Sequence, residues 1–238
     1  NKTKWVILNS PSNPTGAFYS EMELQNLAKI LLKHPHVWIL CDDIYEHIIF
    51  DNLKFKNILQ VEKKLKSRTF VVNGVSKAYA MTGWRLGYGA GPKELIKEIT
   101  KIQSQSTTHT SSISQAAAIE ALDNSKEFVD RNKKIFQERR DLIVDNFKEF
   151  DELKVFIPEG SFYIYVCCDK IIGKKKEDGD VINNDLDLSD YFLDEGVAVV
   201  PGEAFGFSNF FRISFATSNE NIVEGCKKII SACKKLKS

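Results

Sequence analysis

Long apolar runs and an excess of charge of either sign are both absent from this 238-residue sequence. No run of apolar residues approaches the ~20 that a helix needs to cross a bilayer, so we expect no membrane partner. The 33 basic and 32 acidic residues leave a formal net charge of +1, which predicts no nucleic-acid partner. With 43% hydrophobic residues, the composition predicts a soluble globular protein with a sizeable core.

Cysteine and histidine are few, and their spacing matches neither a disulfide framework nor a metal site. The five cysteines contain no Cys-x-x-Cys pair and are odd in number, which is typical of a reducing compartment. The cysteines are predicted mainly as small core residues. The four histidines are scattered along the sequence, so no set of metal ligands is recognisable. We therefore predict a cytoplasmic protein with no metal.

Three short apolar runs organise the first part of the sequence, at 5–8, 37–41 and 70–72, and each predicts a buried strand. Between the first two runs, Ser20 and Glu23 form a capping box that opens a helix. Strand, helix and strand in this order predict parallel βαβ units with right-handed crossovers. The predicted fold class of this part is therefore α/β with a mostly parallel sheet.

The pattern changes after a long charged helix that the sequence predicts over 125–150. Short alternating strands follow, at 154–157, 161–167, 197–200 and 211–215. A last helix begins at Asn219 and carries a regular apolar stripe. We therefore expect two domains, residues 1–140 and residues 141–238, of which the second is smaller and of α+β type.

Polar side chains of different chemistry follow each of the three predicted strands. Asn13 follows the first strand in a loop rich in turn formers, Asp42 and Tyr45 follow the second, and Lys77 follows the third. Because the carboxyl ends of parallel strands lie along one edge of a sheet, we expect these groups to converge on one ligand. Each also has a structural alternative: a turn residue for Asn13, a helix N-cap for Asp42 and a half-buried ring for Tyr45.

The segment 73–87, N-G-V-S-K-A-Y-A-M-T-G-W-R-L-G, carries the clearest chemical pattern. Lys77 lies among small and hydroxylated residues just past a predicted buried strand, and Arg85 follows eight residues later. A desolvated lysine amine forms Schiff bases readily, and an arginine can clamp a phosphate. The pattern is typical of a site in which a lysine forms a Schiff base and a nearby arginine binds a phosphate group. The alternative is that both residues are ordinary surface charges.

This segment resembles the lysine signature of the class I and II pyridoxal-phosphate aminotransferases, in particular the bacterial and plastid branch of aspartate aminotransferases, some of which act on prephenate. Three other segments are similar to motifs of this family: N-P-T-G at 13–16, F-R-I-S-F at 211–215, and D-D-I-Y at 42–45, where the family usually has D-E-I-Y. The resemblance implies the fold-type I architecture. It covers nearly the whole sequence but begins partway through the family's large domain, so we expect an N-terminally truncated member.

The resemblance implies a cofactor, pyridoxal 5′-phosphate, and a role toward it for Asn13 and for five other residues. Lys77 would form the Schiff base with the cofactor aldehyde and would move the α-proton of the substrate. Asp42 would pair with the ring nitrogen, and Tyr45 would donate to the phenolic oxygen. Ser76 and Arg85 would hold the phosphate. The change to aspartate at Asp43 is expected to do little harm, because that acid is not a cofactor contact.

Two further residues are implied as substrate contacts. Asn13 would reach both the cofactor and the substrate carboxylate, and Arg212 would bind that carboxylate through a fork of two hydrogen bonds. From the residues alone, a structural ion pair is the alternative for Arg212. The peptide bond before Pro14 is often cis in the family.

The function implied is transfer of an amino group between an amino acid, most simply aspartate or glutamate, and a 2-oxo acid in a homodimeric enzyme. One alternative is another fold-type I enzyme, such as a carbon–sulfur lyase. The other is a catalytically incomplete fragment that does not bind the cofactor, because the family's N-terminal arm, its glycine- and serine-containing phosphate loop and its ring-stacking aromatic residue are not matched.

Overall fold

The three apolar runs near the N-terminus form parallel strands in the computed structural model, which describes residues 2–237. They are β1 (Trp5–Asn9), β2 (Trp38–Asp42) and β3 (Thr69–Gly74), paired in that order. A fourth strand, β4 (Gly87–Ala90), pairs antiparallel to β3. The sequence does not predict β4, because two of its four residues are glycine and no alternation of apolar residues marks it.

Helices follow and connect these strands. They are α1 (Glu21–Leu32), α2 (Ile58–Val61), α3 (Lys93–Ser104), α4 (Ser112–Asn124) and α5 (Lys126–Phe147). The predicted capping box opens α1: Ser20 Oγ accepts the Glu23 N–H at 3.3 Å, and the Glu23 carboxylate accepts the Ser20 N–H at 2.8 Å. The long helix predicted over 125–150 corresponds to α5, which ends at Phe147.

The core of the parallel sheet lies between α1 and one face of the strands. Its buried members are Leu8, Leu24, Ala28, Leu31, Ile39, Cys41, Ile58 and Leu65. Strand side chains alternate between faces, so Ile39 and Cys41 are buried whereas their neighbours Trp38 and Leu40 are only half-buried. Cys41 is buried, as predicted for a small core residue, and burial raises the pKa of its thiol to about 12.

A smaller antiparallel sheet forms in the second part of the chain. The elements there are β5 (Lys154–Phe156), β6 (Tyr163–Cys167), α6 (Asp185–Asp194), β7 (Val200–Pro201), β8 (Phe210–Ser214) and α7 (Asn219–Lys235). The strand order is β5-β6-β8-β7, with every neighbouring pair antiparallel. The strand predicted at 197–200 is reduced to the two residues of β7, an edge strand that ends in a proline without an N–H donor.

Contacts divide the chain into two compact units. The first unit comprises the residues up to Pro11 together with Phe18–Lys133, and the second comprises Ser12–Ala17 with the residues from Lys134 onward. The domain boundary near residue 140 stays a prediction. No helix within residues 2–237 is both long enough and apolar enough to cross a membrane.

Two isoleucines on neighbouring strands provide a test of which sheet face is the core. Ile39 is 0% exposed and Ile7 is 68% exposed. We expect Ile39→Ala to lower the free energy of unfolding by about 2–5 kcal/mol, because it leaves a cavity. The matched control Ile7→Ala should change it by less than about 1 kcal/mol. Urea unfolding followed by tryptophan fluorescence measures both, since all three tryptophans lie in the first unit; equal losses would contradict the assignment of the core face.

Candidate active site

Three of the predicted site residues lie at one edge of the parallel sheet. Asp42 is the last residue of β2 and pairs in register with Val72 of β3. Tyr45 follows three residues later and is 3% exposed. Lys77 follows the end of β3, and its Nζ lies 5.9 Å from the centroid of the Tyr45 ring. Because β2 and β3 run parallel, the acid, the phenol and the amine leave the sheet at the same edge.

The electrostatics of Asp42 reflect its partly buried position. Burial raises the pKa of the Asp42 carboxyl above its usual value, whereas the Ile44 N–H and the positive charge of Lys77 oppose that rise. The Ile44 N–H donates to Asp42 Oδ1 at 3.4 Å. A partly dehydrated carboxylate of this kind gains from a cationic hydrogen-bond donor, such as the protonated nitrogen of a heteroaromatic ring.

The two residues implied as phosphate contacts are placed differently. Ser76 precedes Lys77 and is half-buried. Arg85 is exposed, has a left-handed backbone with φ of 53°, and donates through Nη1 to the Thr82 carbonyl at 2.7 Å. The structure therefore holds Ser76 beside the lysine and bonds Arg85 within its own turn, so a phosphate role for Arg85 stays a prediction.

Asp43, where the family pattern has glutamate, has a structural role in this chain. It is 5% exposed and accepts a hydrogen bond from Asn57 Nδ2 at 2.9 Å. Asn57 Oδ1 in turn accepts the N–H groups of Leu59 and Gln60 and so caps α2. The shorter acid therefore ties the end of β2 to the start of α2. Burial first, and then the nearby charges, raise the pKa of the Asp43 carboxyl to about 6.

A pair of residues that no sequence pattern predicts, Asn73 and Glu46, supports the turn before Lys77. Asn73 Nδ2 donates to Glu46 Oε1 at 2.5 Å, and Asn73 Oδ1 accepts the Gly74 N–H at 2.7 Å. The pair joins the segment after Tyr45 to the end of β3. An amide followed by glycine at a strand end is a local signal for such a turn, but nothing local identifies Glu46 as its partner.

Asn13 and Arg212 lie in the second unit, where they contact each other. Arg212 is in the middle of β8, and its Nη1 donates to Asn13 Oδ1 at 2.7 Å. The guanidinium carbon lies 4.3 Å from the ring centroid of Tyr163 and 5.0 Å from that of Phe205. The peptide bond before Pro14 is cis, as the resemblance implies.

The contacts of Arg212 leave hydrogen-bonding capacity for a ligand. Its Nε is buried and donates to no acceptor, and no acid within residues 2–237 forms an ion pair with it. A buried N–H without a partner is costly and rare. The structural ion pair that was the alternative for Arg212 is therefore not present in the described part of the chain. A flat guanidinium that lies close to two aromatic rings suits a carboxylate.

The donor set of the first unit fits pyridoxal 5′-phosphate in its chemistry. Asp42 offers an acid for a protonated ring nitrogen, Tyr45 a phenol for the phenolic oxygen, and Lys77 an amine for the aldehyde. No group of three or more histidine, cysteine, aspartate or glutamate side chains among residues 2–237 is arranged to hold a metal ion.

A mostly parallel sheet with a lysine, an acid and a phenol at its carboxyl edge is typical of α/β enzymes that bind a cofactor through a Schiff base. Comparison with known proteins identifies the family. The chain belongs to the family described as aminotransferase class I and II, whose sequence model matches residues 1–229. This match confirms the predicted resemblance. Enzymes of this family depend on pyridoxal 5′-phosphate, the cofactor that the resemblance implies.

Two individual relatives show which members of the family the chain is similar to. The chain is 54% identical over 234 residues to a probable aspartate/prephenate aminotransferase of Rickettsia felis, a match that covers 98% of this chain and 57% of that protein. It is 50% identical over 236 residues to an aspartate aminotransferase of Rhizobium meliloti, with 99% and 58% covered. The chain thus spans less than two thirds of the length of these curated relatives.

Solved structures confirm the predicted fold-type I class. The crystal structure of the aspartate aminotransferase from Rhizobium meliloti matches with a TM-score of 0.94 at 51% identity, covering 99% of this chain and 59% of that one. The aspartate aminotransferase from Thermus thermophilus with maleate matches with a TM-score of 0.86 at 36% identity, covering 97% and 57%.

The raised pKa of Asp43 predicts a pH-dependent contribution to stability. The folded state binds the proton more tightly than the unfolded state, whose carboxyl has the usual value of 3.8. The free energy of unfolding should therefore rise as the pH falls from about 6 to about 4, by on the order of 2–3 kcal/mol from this group. Asp43→Asn, which keeps an oxygen for Asn57, should lose this rise. Urea unfolding of both chains across that range measures it, and parallel curves would contradict the prediction.

Proposed function

We propose that the protein transfers an amino group between an amino acid and a 2-oxo acid with pyridoxal 5′-phosphate as its cofactor, and that aspartate and glutamate are its amino donors. The observation that carries the proposal is the grouping of Asp42, Tyr45 and Lys77 at one edge of the parallel sheet. The relatives named aspartate or aspartate/prephenate aminotransferase support the choice of substrate.

The residues of the first unit would bind the cofactor and move a proton. When bound, pyridoxal 5′-phosphate supplies an aldehyde that links to amines and a ring that withdraws electrons from the substrate's α-carbon. Asp42 holds the ring nitrogen through a charged hydrogen bond, and the Tyr45 phenol donates to the phenolic oxygen. Lys77 Nζ would take the proton from the substrate's α-carbon as a general base and then, as an acid, would donate it to the former aldehyde carbon of the cofactor.

The residues of the second unit would bind the substrate carboxylate. Arg212 offers two parallel N–H donors to the two carboxylate oxygens, which orients the planar group as well as attracting it. Tyr163 and Phe205 cover the guanidinium and limit its rotation, while Asn13 Oδ1 holds Nη1. Asn13 also has an amide N–H₂ that can donate to the substrate or to the cofactor.

Three further assignments belong to the same proposal. Ser76 and Arg85 hold the cofactor phosphate, Ser76 from beside the lysine and Arg85 from the following turn. The protein acts as a homodimer in the cytoplasm. The homodimer is the assembly typical of this family, and the cytoplasm is the reducing compartment predicted from the cysteines.

Covalent trapping tests the assignment of Lys77. We expect borohydride reduction of the 238-residue chain with pyridoxal 5′-phosphate to attach the cofactor to Lys77, as located by mass spectrometry of peptides. Lys77→Ala should abolish this attachment, because no other amine would be held against the aldehyde. Lys93→Ala, at an exposed lysine that opens α3, is the control and should leave it intact. Attachment that survives Lys77→Ala would rule out the lysine assignment, and no attachment to the parent chain would support the incomplete-fragment alternative.

Dicarboxylate titration tests the role of Arg212. We expect Arg212→Lys to weaken binding of maleate by roughly 10- to 100-fold, because the two-pronged charged hydrogen bond is lost, while the absorbance of the bound cofactor stays the same. Arg131→Lys is a matched control, since that guanidinium also lies over a ring, 5.6 Å from the centroid of Phe128. Equal affinity of the parent and Arg212→Lys for maleate would sink the carboxylate role.

A further inference from the structure

Asp185 is a buried carboxylate outside the candidate site. It is the first residue of α6 and is 1% exposed. Its Oδ2 accepts the Glu203 N–H at 2.7 Å, and its Oδ1 accepts the Asn209 N–H at 3.2 Å. The two donors belong to the segment 202–209, which we call the 202–209 loop. One carboxylate therefore holds both ends of this loop.

The carboxylate of Asp185 is directed to the loop rather than to its own helix. The N-cap of α6 is Asn184, whose Oδ1 accepts the Asp187 N–H at 2.9 Å. The helix thus has its cap without Asp185. Burying an ionised carboxylate is costly unless hydrogen bonds compensate, and the position at a helix N-terminus favours negative charge as well. The two loop bonds offset part of the cost of burying this acid.

Tight backbone packing gives the 202–209 loop a defined shape. A Cβ atom on Gly202 would lie 2.3 Å from the Phe207 carbonyl oxygen and 2.9 Å from that of Phe210, so only glycine fits where the chain returns on itself. Asn209 has a left-handed backbone with φ of 63°, which is uncommon outside glycine. The bond from its N–H to Asp185 helps to hold this conformation at the point where the loop enters β8.

The 202–209 loop is connected to Arg212 in two ways. It carries Phe205, whose ring covers one side of the guanidinium at 5.0 Å. It also leads into β8, where Arg212 lies three residues after Asn209 and pairs in register with Tyr165. The hydroxyl of Tyr165 donates to the Phe207 carbonyl at 3.2 Å, which adds a further tie between the loop and the sheet. A shift of the loop would therefore move both the ring and the strand that position the guanidinium.

We propose that Asp185 is a positioning residue for Arg212. Its carboxylate holds the 202–209 loop so that Phe205 covers the guanidinium and β8 begins in the correct register. This inference rests on the proposed function, in which Arg212 binds the substrate carboxylate. Loss of the Asp185 carboxylate should weaken substrate binding and leave the proton transfer at Lys77, in the first unit, unaffected.

The experiment compares Asp185→Asn with Asp187→Asn in the protein loaded with its cofactor. The two acids lie in the same first turn of α6 and lose the same charge, but the Asp187 carboxylate accepts its hydrogen bonds from the backbone and side chain of Asn183, outside the 202–209 loop. For Asp185→Asn we expect the Kd of maleate and the KM for aspartate to rise by roughly 10-fold, as for loss of one hydrogen bond to a charged group, with kcat and cofactor absorbance within about twofold of the parent. Asp187→Asn should leave all four unchanged.

A second variant removes the ring rather than the carboxylate, so the proposal stays testable even if Asp185→Asn fails to fold. Phe205→Leu should also weaken maleate binding, and the double variant should be weaker by less than the product of the two single effects, because both act through one element. Phe205→Leu with the parent's affinity, or fully multiplicative effects in the double variant, would overturn the proposal. Faster hydrogen exchange of the Glu203 and Asn209 amides in Asp185→Asn, but not in Asp187→Asn, would support it.

The outcomes separate this inference from the proposed function. If the parent protein binds no maleate, carboxylate binding by Arg212 is wrong and the role of Asp185 falls with it. If the parent binds maleate and Asp185→Asn binds it equally tightly, only the role of Asp185 is wrong. A rise in KM with kcat preserved supports it, whereas a fall in kcat alone contradicts it.

Discussion

Parallel pairing of β2 with β3 is the constraint on which the candidate cofactor site depends. Two neighbouring strands that run the same way must deliver the residues following them to the same edge of the sheet. Asp42, Tyr45 and Lys77 are separated by up to 35 positions in the sequence, yet this pairing places them together. The core beneath α1 keeps the strands in register, since a slip of one residue would expose Ile39 and Cys41.

Polar groups inside this protein are placed where they hold a turn or a loop. Asp43 ties the end of β2 to the cap of α2, and Asp185 joins both ends of the 202–209 loop. Each acid accepts hydrogen bonds that offset the cost of its burial. Arg212 differs, because one of its buried N–H groups has no acceptor within the described residues. A planar cation that lies close to aromatic rings and keeps one N–H donor unused can bind a carboxylate.

The two units contain different parts of the candidate site. The first unit holds the acid, the phenol and the amine that suit pyridoxal 5′-phosphate, and the second holds the arginine and the amide that suit a carboxylate. Amino-group transfer needs both functions, since the α-carbon must lose its proton while the substrate is held in one orientation. Membership of the aminotransferase family explains why both sets occur in one chain.

Local patterns in the sequence were sufficient for the parallel strands, the capping box at Ser20, the long helix α5 and the residue types of the site, because periodicity and turn chemistry are properties of short segments. The edge strand β4 could not be predicted in this way, because its two glycines give no alternation of apolar residues. Only the tertiary structure determined the hydrogen bond between Arg212 and Asn13, which are 199 positions apart. The same is true of the hydrogen bonds that Asp185 accepts from Glu203 and Asn209. The partners of Asp185 are backbone N–H groups, which almost every residue has, so no residue type in the sequence marks them.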